Sequence, residues 1–409
     1  MQVVSDVQSL GFDAKRLSSI SEHFKPYVDN GYLPGWQMVL SRHGQVVLNE
    51  QYGLRDIEAG LPVEQNTLFR IYSMTKPITS VAIMMLMEQG KLKLRDPVAK
   101  YIPEFANTRV YRSGSALNPA TEGLTNTMQL WHLLTHTAGL SYGFMHAHPV
   151  DAMYRAAGYE WAWPEGATIE TACQHWAAMP LMFQPGSEWN YSVATDVLGR
   201  VIEVASGQSL DAYFAEHIFG PLGMTDTAFY ADKDAAKRLA ALYVADPENG
   251  GKAKRLDSMG DMALSAPSLL SGGGGLVSTA ADYHRFCMML LGEGALGDVR
   301  LLGTRSLRYM RENHLPGGAE LSSFGRPLFS ETDFDGMGFG LGFSVVNDNR
   351  AVKNLCSNGE FAWGGAASTA FWIDPKEQIT AMFFTQLLPS SALPIRPELR
   401  QLIYQALVD

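Results

Sequence analysis

The sequence predicts an α+β fold, an α/β sandwich in which helices flank one antiparallel sheet built from both ends of the chain. Two observations predict this fold. Residues 36–40 and 46–51 alternate apolar and polar side chains around a short turn, and residues 368–373 and 378–385 repeat the hairpin pattern far along the chain. Helical periodicity flanks both hairpins, which supplies the helices that cover the sheet.

The N-terminal part of the chain carries the signals of a helix, a hairpin, an extended segment and a second helix. Apolar residues recur at helical spacing over 13–28 after an aspartate cap, and residues 42–44 supply the turn of the first hairpin. Residues 67–72 are rich in β-branched and aromatic side chains, which favours an extended segment. A helix then begins at or just before Ser73 and continues to the stop signal at Gly90.

The later elements have a different character. Helical periodicities and irregular aromatic loops dominate the middle of the chain, where one helix is predicted over 194–205. A glycine run at 272–275 precedes a helix over 280–291, and an amphipathic helix follows the second hairpin over about 397–407. The helical middle therefore interrupts the elements that build the sheet.

The length of the chain predicts its domain organisation. At 409 residues the chain is too long for one ordinary core, yet it has no low-complexity linker. We expect an α/β domain from residues 1–93 and 265–409 and an inserted, mostly helical domain from residues 94–264. The active site is expected in the cleft between them.

Charge and hydropathy exclude several classes of partner. The formal net charge of −10 comes without acidic blocks and argues against nucleic acid or an anionic membrane as partners. No apolar run approaches the roughly 20 residues of a membrane span. The first residues lack the basic and apolar regions of a secretory signal, so a cytoplasmic location is expected. The expected partner is a small-molecule ester, and the oligomeric state stays open.

Cysteine and histidine usage predicts neither a metal site nor a cofactor. The three cysteines, Cys173, Cys287 and Cys356, are scattered among apolar neighbours, as is typical of reduced packing residues. His136, His146 and His148 are close in sequence but lack the spacing and partners of a zinc site. His136 is expected to be a hydrogen-bonded structural residue.

The strongest chemical signal is Ser73-x-x-Lys76 at a helix start. Residues three apart on a helix are neighbours, so the lysine amine lies beside the serine hydroxyl and can accept its proton. The helix N-terminus also directs N–H groups and positive partial charge at a developing oxyanion. The tetrapeptide is short enough to occur by chance, so the rest of the chain must support it.

Two later segments supply the groups that a serine–lysine pair needs. Tyr191 precedes the helix over 194–205 and can bring a phenol into a cleft. Trp363-Gly364-Gly365-Ala366 introduces a strand, and its two glycines permit a close approach of substrate to the backbone.

With these segments in order, the chain resembles the serine-reactive penicillin-recognising superfamily and, within it, the class C β-lactamase-like family VIII carboxylesterases. Ser73-x-x-Lys76 is similar to the first family motif, Tyr191-Ser192-Val193 to the Tyr-x-Asn motif, and Trp363-Gly364-Gly365 to the Lys-Thr-Gly motif. The resemblance extends to nearly the whole chain, because the segments that flank these motifs are also similar to the family: residues 69–72, 90–98, 133–140, 185–186, 221–224 and 274–279.

The resemblance implies a role for each of these residues. Ser73 is acylated, Lys76 and Tyr191 share the general-base and general-acid work, and the backbone N–H groups of Ser73 and Ala366 form the oxyanion hole. A tyrosine phenol is a poor base at neutral pH unless a nearby cation stabilises the phenolate, and Lys76 can be that cation. Which of Lys76 and Tyr191 takes the first proton stays open.

Two departures from the β-lactamase pattern bear on the substrate. Val193 stands where those enzymes place an asparagine that binds the substrate amide, and Trp363 stands where they place a lysine that helps to bind the β-lactam carboxylate. Both losses remove polar recognition of a β-lactam and leave the acyl-transfer groups intact. We therefore expect a serine carboxylesterase that hydrolyses short-chain esters, with Trp363, Gly364, Gly365 and Val193 contacting the substrate.

The alternatives come from other functional classes. A β-lactamase or D-amino-acid peptidase uses the same acyl-enzyme, and so does an acyltransferase. A catalytically silent binding module is the third class, and the intact Ser73, Lys76 and Tyr191 argue against it. Substrate profiling separates the remaining functions.

Two further segments need an assignment. Gly139-x-Ser141-x-Gly143 satisfies the nucleophile-elbow pattern of α/β-hydrolases, but it follows a predicted short helix over 130–136 and precedes a loop, so we expect Ser141 to be a bystander. The aromatic segment over 142–163 is the candidate wall of the acyl pocket. Its bulky residues, Tyr142 and Phe144 first among them, are expected to narrow the site and favour small acyl groups.

Overall fold

The computed structural model describes residues 1–326 and 333–408. The strands are β1 (Gly35–Arg42), β2 (Gln45–Asp56), β3 (Leu61–Pro62), β4 (Leu68–Arg70), β5 (Val110–Ser115), β6 (Asn118–Glu122), β7 (Tyr243–Asp246), β8 (Lys252–Arg255), β9 (Val277–Thr279), β10 (Ala295–Leu296), β11 (Val299–Arg300), β12 (Met337–Phe339), β13 (Ser344–Val346), β14 (Phe361–Gly364), β15 (Ala370–Asp374), β16 (Ile379–Phe384) and β17 (Leu387–Leu388).

The helices are α1 (Ala14–Asp29), α2 (Thr75–Glu88), α3 (Leu130–Leu134), α4 (Pro149–Ala156), α5 (Ile169–Ala178), α6 (Ala194–Ser206), α7 (Leu210–Phe214), α8 (Gly220–Leu222), α9 (Asp257–Gly260), α10 (Ala280–Leu291), α11 (Thr304–Met310), α12 (Leu321–Phe324) and α13 (Ile395–Gln405). Within the described residues, no helix has both the length and the apolar character that crossing a bilayer requires.

An antiparallel sheet of eight strands is the centre of the fold, in the order β12-β13-β14-β15-β16-β1-β2-β3. Strand β1 pairs with β16, so that Gln37 lies opposite Phe384 and Arg42 opposite Ile379. This pairing joins the two predicted hairpins into one sheet. The predicted fold class, a sheet built from both termini and flanked by helices, is confirmed.

The sheet is covered on both faces because successive side chains of a strand point to opposite sides. On β1, Met38 belongs to the apolar cluster that contains α1 and α13, whereas the adjacent Val39 belongs to the larger cluster that contains α2 and α10. On β15, Trp372 belongs to the cluster with α1 and α13, and the adjacent Phe371 belongs to the larger cluster. A sandwich of helices around the sheet follows from this alternation.

The bounds of most predicted helices agree with the structure to within two residues. Helix α1 begins after Asp13, whose carboxylate accepts a hydrogen bond from the Arg16 N–H at 2.8 Å. Helix α10 has the predicted bounds, and α6 and α13 differ from theirs by a residue or two. The Asp13 cap and the apolar spacing were therefore sufficient signals.

The middle segment departs from its description in one respect. Besides helices, it contains the hairpins β5–β6 and β7–β8, which the helical periodicities did not predict. The β5–β6 pair is largely exposed and its register shifts between Tyr111 and Ser113, so its sequence lacks a clean apolar alternation. The division into two domains stays a prediction.

Candidate active site

Ser73 lies in a tight turn between a strand and a buried helix. Strand β4 pairs with β9, a 3₁₀ turn covers Tyr72–Met74, and α2 follows directly. The helix itself thus begins two residues after Ser73, which occupies the turn that leads into it. Tyr72 has a φ of 43°, in the left-handed region that a bulky residue seldom adopts, and such strain is concentrated at functional sites.

Hydrogen bonds from distant segments hold this turn in place. The Ile71 N–H donates to the Leu276 carbonyl at 3.0 Å, before the turn. The Tyr283 hydroxyl of α10 donates to the Met74 carbonyl at 2.9 Å, at the end of the turn. Because both bonds come from the segment after the glycine run, the position of Ser73 depends on residues about 200 positions away in sequence.

Lys76 is placed beside Ser73 as the helical spacing predicts. Its Nζ lies 3.0 Å from the Ser73 Oγ and 2.8 Å from the Gly273 carbonyl oxygen. The lysine side chain is only 1% exposed. A buried amine held between a hydroxyl and a carbonyl is oriented to exchange a proton with that hydroxyl.

Asp196 holds the loop that contacts Lys76. Its Oδ1 accepts hydrogen bonds from the Ser271 hydroxyl at 2.6 Å and the Gly273 N–H at 3.0 Å. Burial raises the pKa of the Asp196 carboxyl, while the Ser271 hydrogen bond, the Lys76 charge and the Gly273 N–H act in the opposite direction. The carboxylate therefore fixes the carbonyl that receives the lysine.

Tyr191 lies beside the same lysine. The Lys76 Nζ is 4.4 Å from the centre of the Tyr191 ring and 5.5 Å from the centre of the Tyr142 ring. The Trp363 indole N–H donates to the Tyr191 hydroxyl at 3.2 Å. The structure thus brings together residues from α2, from the segment before α6 and from β14.

His136 packs behind Tyr191 as an uncharged ring. Its centre lies 4.9 Å from the centre of the Tyr191 ring, and its Nδ1 is 3.3 Å from the Ser192 hydroxyl. Burial, and to a smaller extent the Lys76 charge, holds the pKa of His136 well below its usual range. This geometry agrees with the predicted structural role of His136.

The two glycines after Trp363 are explained by close contacts. A Cβ on Gly364 would overlap the guanidinium of Arg396, whose Nη2 donates to the Gly365 and Thr369 carbonyls at 3.2 Å each. A Cβ on Gly365 would overlap the Thr369 hydroxyl oxygen and would lie 2.5 Å from the Ile71 carbonyl oxygen, next to the Ser73 turn. The hairpin therefore packs directly on that turn because these positions lack side chains.

Two backbone N–H groups are suited to an oxyanion. The Ser73 N–H belongs to the first residues of a helical segment, where N–H groups lack acceptors within the helix. Among the described residues, the Ala366 N–H makes no hydrogen bond. Both residues line the same cavities, as a pair of donors for one substrate oxygen must.

Ser73 and Ala366 separate two cavities. The Trp363 cavity, of about 70 Å³, is lined by Ser73, Ala366, Tyr191, Trp363, Gly364, Gly365 and Arg396, together with Ser344, Ser390, Arg400 and several apolar residues. The aromatic cavity, of about 180 Å³, is lined by Ser73, Ala366, Tyr142, Phe144, Trp161, Trp163, Val193 and Met262, among others. All substrate-contact residues predicted from the sequence therefore lie at one of these cavities, and their contact with a substrate stays a prediction.

The aromatic residues line their cavity without filling it. Tyr142 stacks on Phe144 at 4.6 Å between ring centres, and Phe144 stacks on Trp161 at 4.3 Å. The three rings form one wall, which leaves the volume beside them open. The expected restriction to small acyl groups stays a prediction.

Ser141 is a buried residue whose hydroxyl is bonded to a carboxylate. It is fully buried, and its hydroxyl donates to the Asp151 carboxylate at 2.5 Å. The same carboxylate accepts the His148 N–H at 2.9 Å at the start of α4. Since Ser141 follows helix α3 and a loop, the strand-to-helix elbow of an α/β-hydrolase is missing here.

The remaining histidines and the three cysteines each have their own contacts. His146 pairs with Glu160 at 2.8 Å near the surface, and the His148 Nδ1 accepts the Val150 N–H at 3.2 Å. Among the described residues, no group of three metal-binding side chains converges. Cys173, Cys287 and Cys356 are free thiols whose pKa values burial raises.

Asp196 and Arg396 were missed by sequence reasoning. Asp196 lies in the first turn of α6, where an acidic residue is ordinarily explained by the helix dipole. Arg396 lies in the first turn of α13, where nothing in the pattern points back to Gly365. Neither residue carries a motif, so only the fold reveals its contacts.

Comparison with known proteins identifies the family. A family model described as Beta-lactamase matches residues 20–405. The chain belongs to this β-lactamase family. Protein Rv1367c of Mycobacterium tuberculosis (strain ATCC 25618 / H37Rv) is 37% identical over 365 residues, which cover 88% of each chain.

Named esterases are among the family members that this chain resembles. Esterase EstB of Burkholderia gladioli is 29% identical over 98% of both chains. The solved structure of EstCE1, described as a hydrolase with promiscuous acyltransferase activity, superimposes with a TM-score of 0.79 at 28% identity and covers 97% of this chain and 99% of its own. The predicted resemblance to β-lactamase-like family VIII esterases is confirmed, and the expected enzyme class, a carboxylic ester hydrolase, agrees with these relatives.

Proposed function

We propose that this protein is a serine carboxylesterase that hydrolyses short-chain carboxylic esters through an acyl-enzyme on Ser73. The observation that carries the proposal is the Lys76 Nζ, buried and 3.0 Å from the Ser73 Oγ. The esterases among its relatives support the choice of substrate class. No metal or cofactor is needed for this chemistry.

The proposed reaction has two halves. In acylation the Ser73 Oγ attacks the ester carbonyl carbon, its proton passes to the Lys76–Tyr191 pair, and the carbonyl oxygen gains negative charge beside the Ser73 and Ala366 N–H groups. The carbon–alkoxide bond then breaks and the pair returns the proton to the departing alcohol. In deacylation, water replaces the alcohol and the same steps release the carboxylic acid.

The first prediction concerns these three side chains. Because they act as a unit, Ser73→Ala, Lys76→Ala and Tyr191→Phe should each lower kcat on p-nitrophenyl butyrate by about 10³-fold or more. A fluorophosphonate should add to Ser73, as intact-mass and peptide mass spectrometry will show. The matched control is Ser141→Ala, which should keep near wild-type turnover. Labelling of Ser141, or an active Ser73→Ala enzyme, would contradict the proposal.

The second prediction concerns substrate class. At the position where β-lactamases place a lysine, Trp363 offers only an indole N–H, which is bonded to the Tyr191 hydroxyl at 3.2 Å, so no charged side chain stands at this position. A missing charge-assisted hydrogen bond costs roughly 1.5–3 kcal/mol, or about ten- to a hundred-fold in specificity. We expect kcat/KM for p-nitrophenyl butyrate to exceed the values for benzylpenicillin and nitrocefin.

Trp363→Lys is the variant that separates the two functions. It restores a cation at this position and should narrow the gap between butyrate ester and benzylpenicillin. If wild-type enzyme prefers benzylpenicillin, the β-lactamase or peptidase function replaces the esterase.

A further inference from the structure

We propose that the aromatic cavity is the acyl subsite, that it takes a short acyl chain ending in a neutral aromatic ring, and that the Trp363 cavity takes a small alcohol. The inference rests on the proposed Ser73 acyl-enzyme. It adds the orientation of the ester and the chemical class of its acyl group, and it replaces the expectation that the aromatic segment restricts the site to small acyl groups.

The orientation follows from the tetrahedral intermediate. Its carbon carries four groups: the Ser73 Oγ, the oxyanion, the alkoxide and the acyl substituent. Ser73 and the oxyanion donor Ala366 border both cavities, so the alkoxide and the acyl substituent must occupy one cavity each. The proton donor Tyr191 lines only the Trp363 cavity of the two. Since the alkoxide must leave toward its proton, the acyl substituent enters the aromatic cavity.

The volumes set the size of the group that each cavity can hold. The aromatic cavity has about 180 Å³, against about 70 Å³ for the Trp363 cavity. A cavity of about 150 Å³ with apolar walls is known to hold a benzene ring. The aromatic cavity therefore has room for a phenyl ring and a short linker.

The chemistry of the walls selects an aromatic group. Tyr142, Phe144 and Trp161 form a continuous stack, with interplanar angles of 19° and 14° between successive rings. Val193 and Met262 add apolar surface, and a methionine sulfur is a favourable contact for a ring. A flat hydrocarbon ring is the group that such a wall binds best.

The charges at the cavity disfavour an ionised acyl group. The Arg70 guanidinium, buried at the cavity wall, donates to the Gly260 and Ala240 carbonyls. The Asp196 carboxylate is bonded to Ser271 and Gly273, and Glu160 pairs with His146 at 2.8 Å. Among the described residues, every charged side chain of this lining already holds hydrogen bonds or an ion pair that an ionised acyl group would have to displace, so a neutral acyl group is favoured.

The test compares two isomeric esters with wild-type enzyme. Methyl 4-phenylbutanoate and 3-phenylpropyl acetate have the same atoms and the same phenylpropyl group, on the acyl side in the first and on the alcohol side in the second. We expect kcat/KM, measured by pH-stat, to be at least about tenfold higher for methyl 4-phenylbutanoate, as the burial of a ring predicts. Acetate esters are intrinsically no less reactive, so the preference would report binding.

The outcomes are separable. Equal values, a reversed preference, or cleavage of p-nitrophenyl acetate with neither isomer hydrolysed would overturn the acyl subsite and leave the esterase function standing. No turnover of any ester would refute the esterase function, and the subsite with it.

A matched pair of variants tests the cavity wall. Met262 and Leu264 lie on one 3₁₀ turn and are 43% and 46% exposed, but only Met262 is among the residues that line the aromatic cavity. Met262→Ala should lower the ratio of kcat/KM for methyl 4-phenylbutanoate to that for methyl acetate by roughly three- to tenfold. Leu264→Ala should leave this ratio at its wild-type value. Equal effects of the two variants would overturn the assignment of the wall.

Discussion

At the scale of single residues, space around Ser73 is set by the two glycines of the Trp363 hairpin. Gly365 faces the Thr369 hydroxyl and also the Ile71 carbonyl, which is backbone, whereas Gly364 faces only the flexible end of Arg396. The Ile71 backbone cannot make room for a new side chain without moving Ser73, whereas the Arg396 guanidinium can rotate away from one. The two glycines therefore have different tolerances, although they are adjacent in sequence.

This difference predicts that alanine at Gly365 lowers the activity more than alanine at Gly364. Gly365→Ala should lower kcat on p-nitrophenyl butyrate by about a hundredfold, because overpacking of roughly 1–3 kcal/mol falls on the Ser73 turn. Gly364→Ala should cost about tenfold or less, since Arg396 can move from the Gly365 and Thr369 carbonyls. Steady-state kinetics with a melting curve for each variant will distinguish the two. The reverse order would show that the Arg396 contact matters more than the turn.

At the scale of elements, the loop between α9 and β9 forms hydrogen bonds with both α6 and α2. Asp196 of α6 binds the Ser271 hydroxyl and the Gly273 N–H, and the Gly273 carbonyl receives Lys76 of α2. Helix α2 is buried along most of its length, from Thr75 to Leu86, so it has little freedom of its own. The orientation of the lysine therefore depends on the loop.

Asp196 variants can test this connection. Asp196→Ala removes both acceptor bonds and should lower kcat by roughly ten- to a hundredfold, whereas Asp196→Asn keeps an acceptor oxygen and should lose less. The comparison uses kcat on p-nitrophenyl butyrate and the free energy of unfolding in urea. If Asp196→Asn is as impaired as Asp196→Ala, the negative charge rather than the loop geometry is what Lys76 needs.

At the scale of the whole molecule, buried neutral histidines make stability depend on pH. His284 of α10 lies 2.6 Å from the Ser41 hydroxyl of β1, and His132 of α3 accepts the Gln129 N–H at 2.9 Å. Burial lowers the pKa of each to about 4. In the unfolded chain both titrate at the usual value of 6.5. The stabilising contribution of the two neutral histidines to the free energy of unfolding is therefore complete above pH 6.5 and is lost as the pH falls toward 4.

The expected loss is measurable. At about pH 5 each histidine should reduce the free energy of unfolding by roughly 2 kcal/mol relative to neutral pH. Urea unfolding of wild type and His284→Gln at both pH values should show a smaller decrease in the variant. His43→Asn, at an exposed hairpin turn, is the control and should follow wild type. An unchanged pH dependence in His284→Gln would mean that His284 is not buried in its neutral form.

The fold was predictable where local signals decide, and the site only in part. Helix α10 has a threonine cap and apolar spacing, so its bounds were clear. The Ser73–Lys76 contact follows from helical spacing. Tyr191 was a candidate from its place before a helix, whereas its shared acid–base role and the oxyanion role of Ala366 came from the family resemblance. Asp196 contacts Gly273 across 77 positions, and periodicity carries no information about such distances. The β5–β6 hairpin was missed because its exposed strands bury little apolar surface.

The bonds around Ser73 also have a consequence for how the chain folds. Trp363 and Tyr191 are 172 positions apart, Lys76 and Gly273 are 197 apart, and Thr369 and Ile71 are 298 apart. Contacts between such distant positions require the closure of long loops, which slows folding. The helices can form early, but Ser73 meets its partners only when nearly the whole chain is in place. During refolding, hydrolytic activity should therefore return after the helical circular dichroism signal, as the last property to be restored.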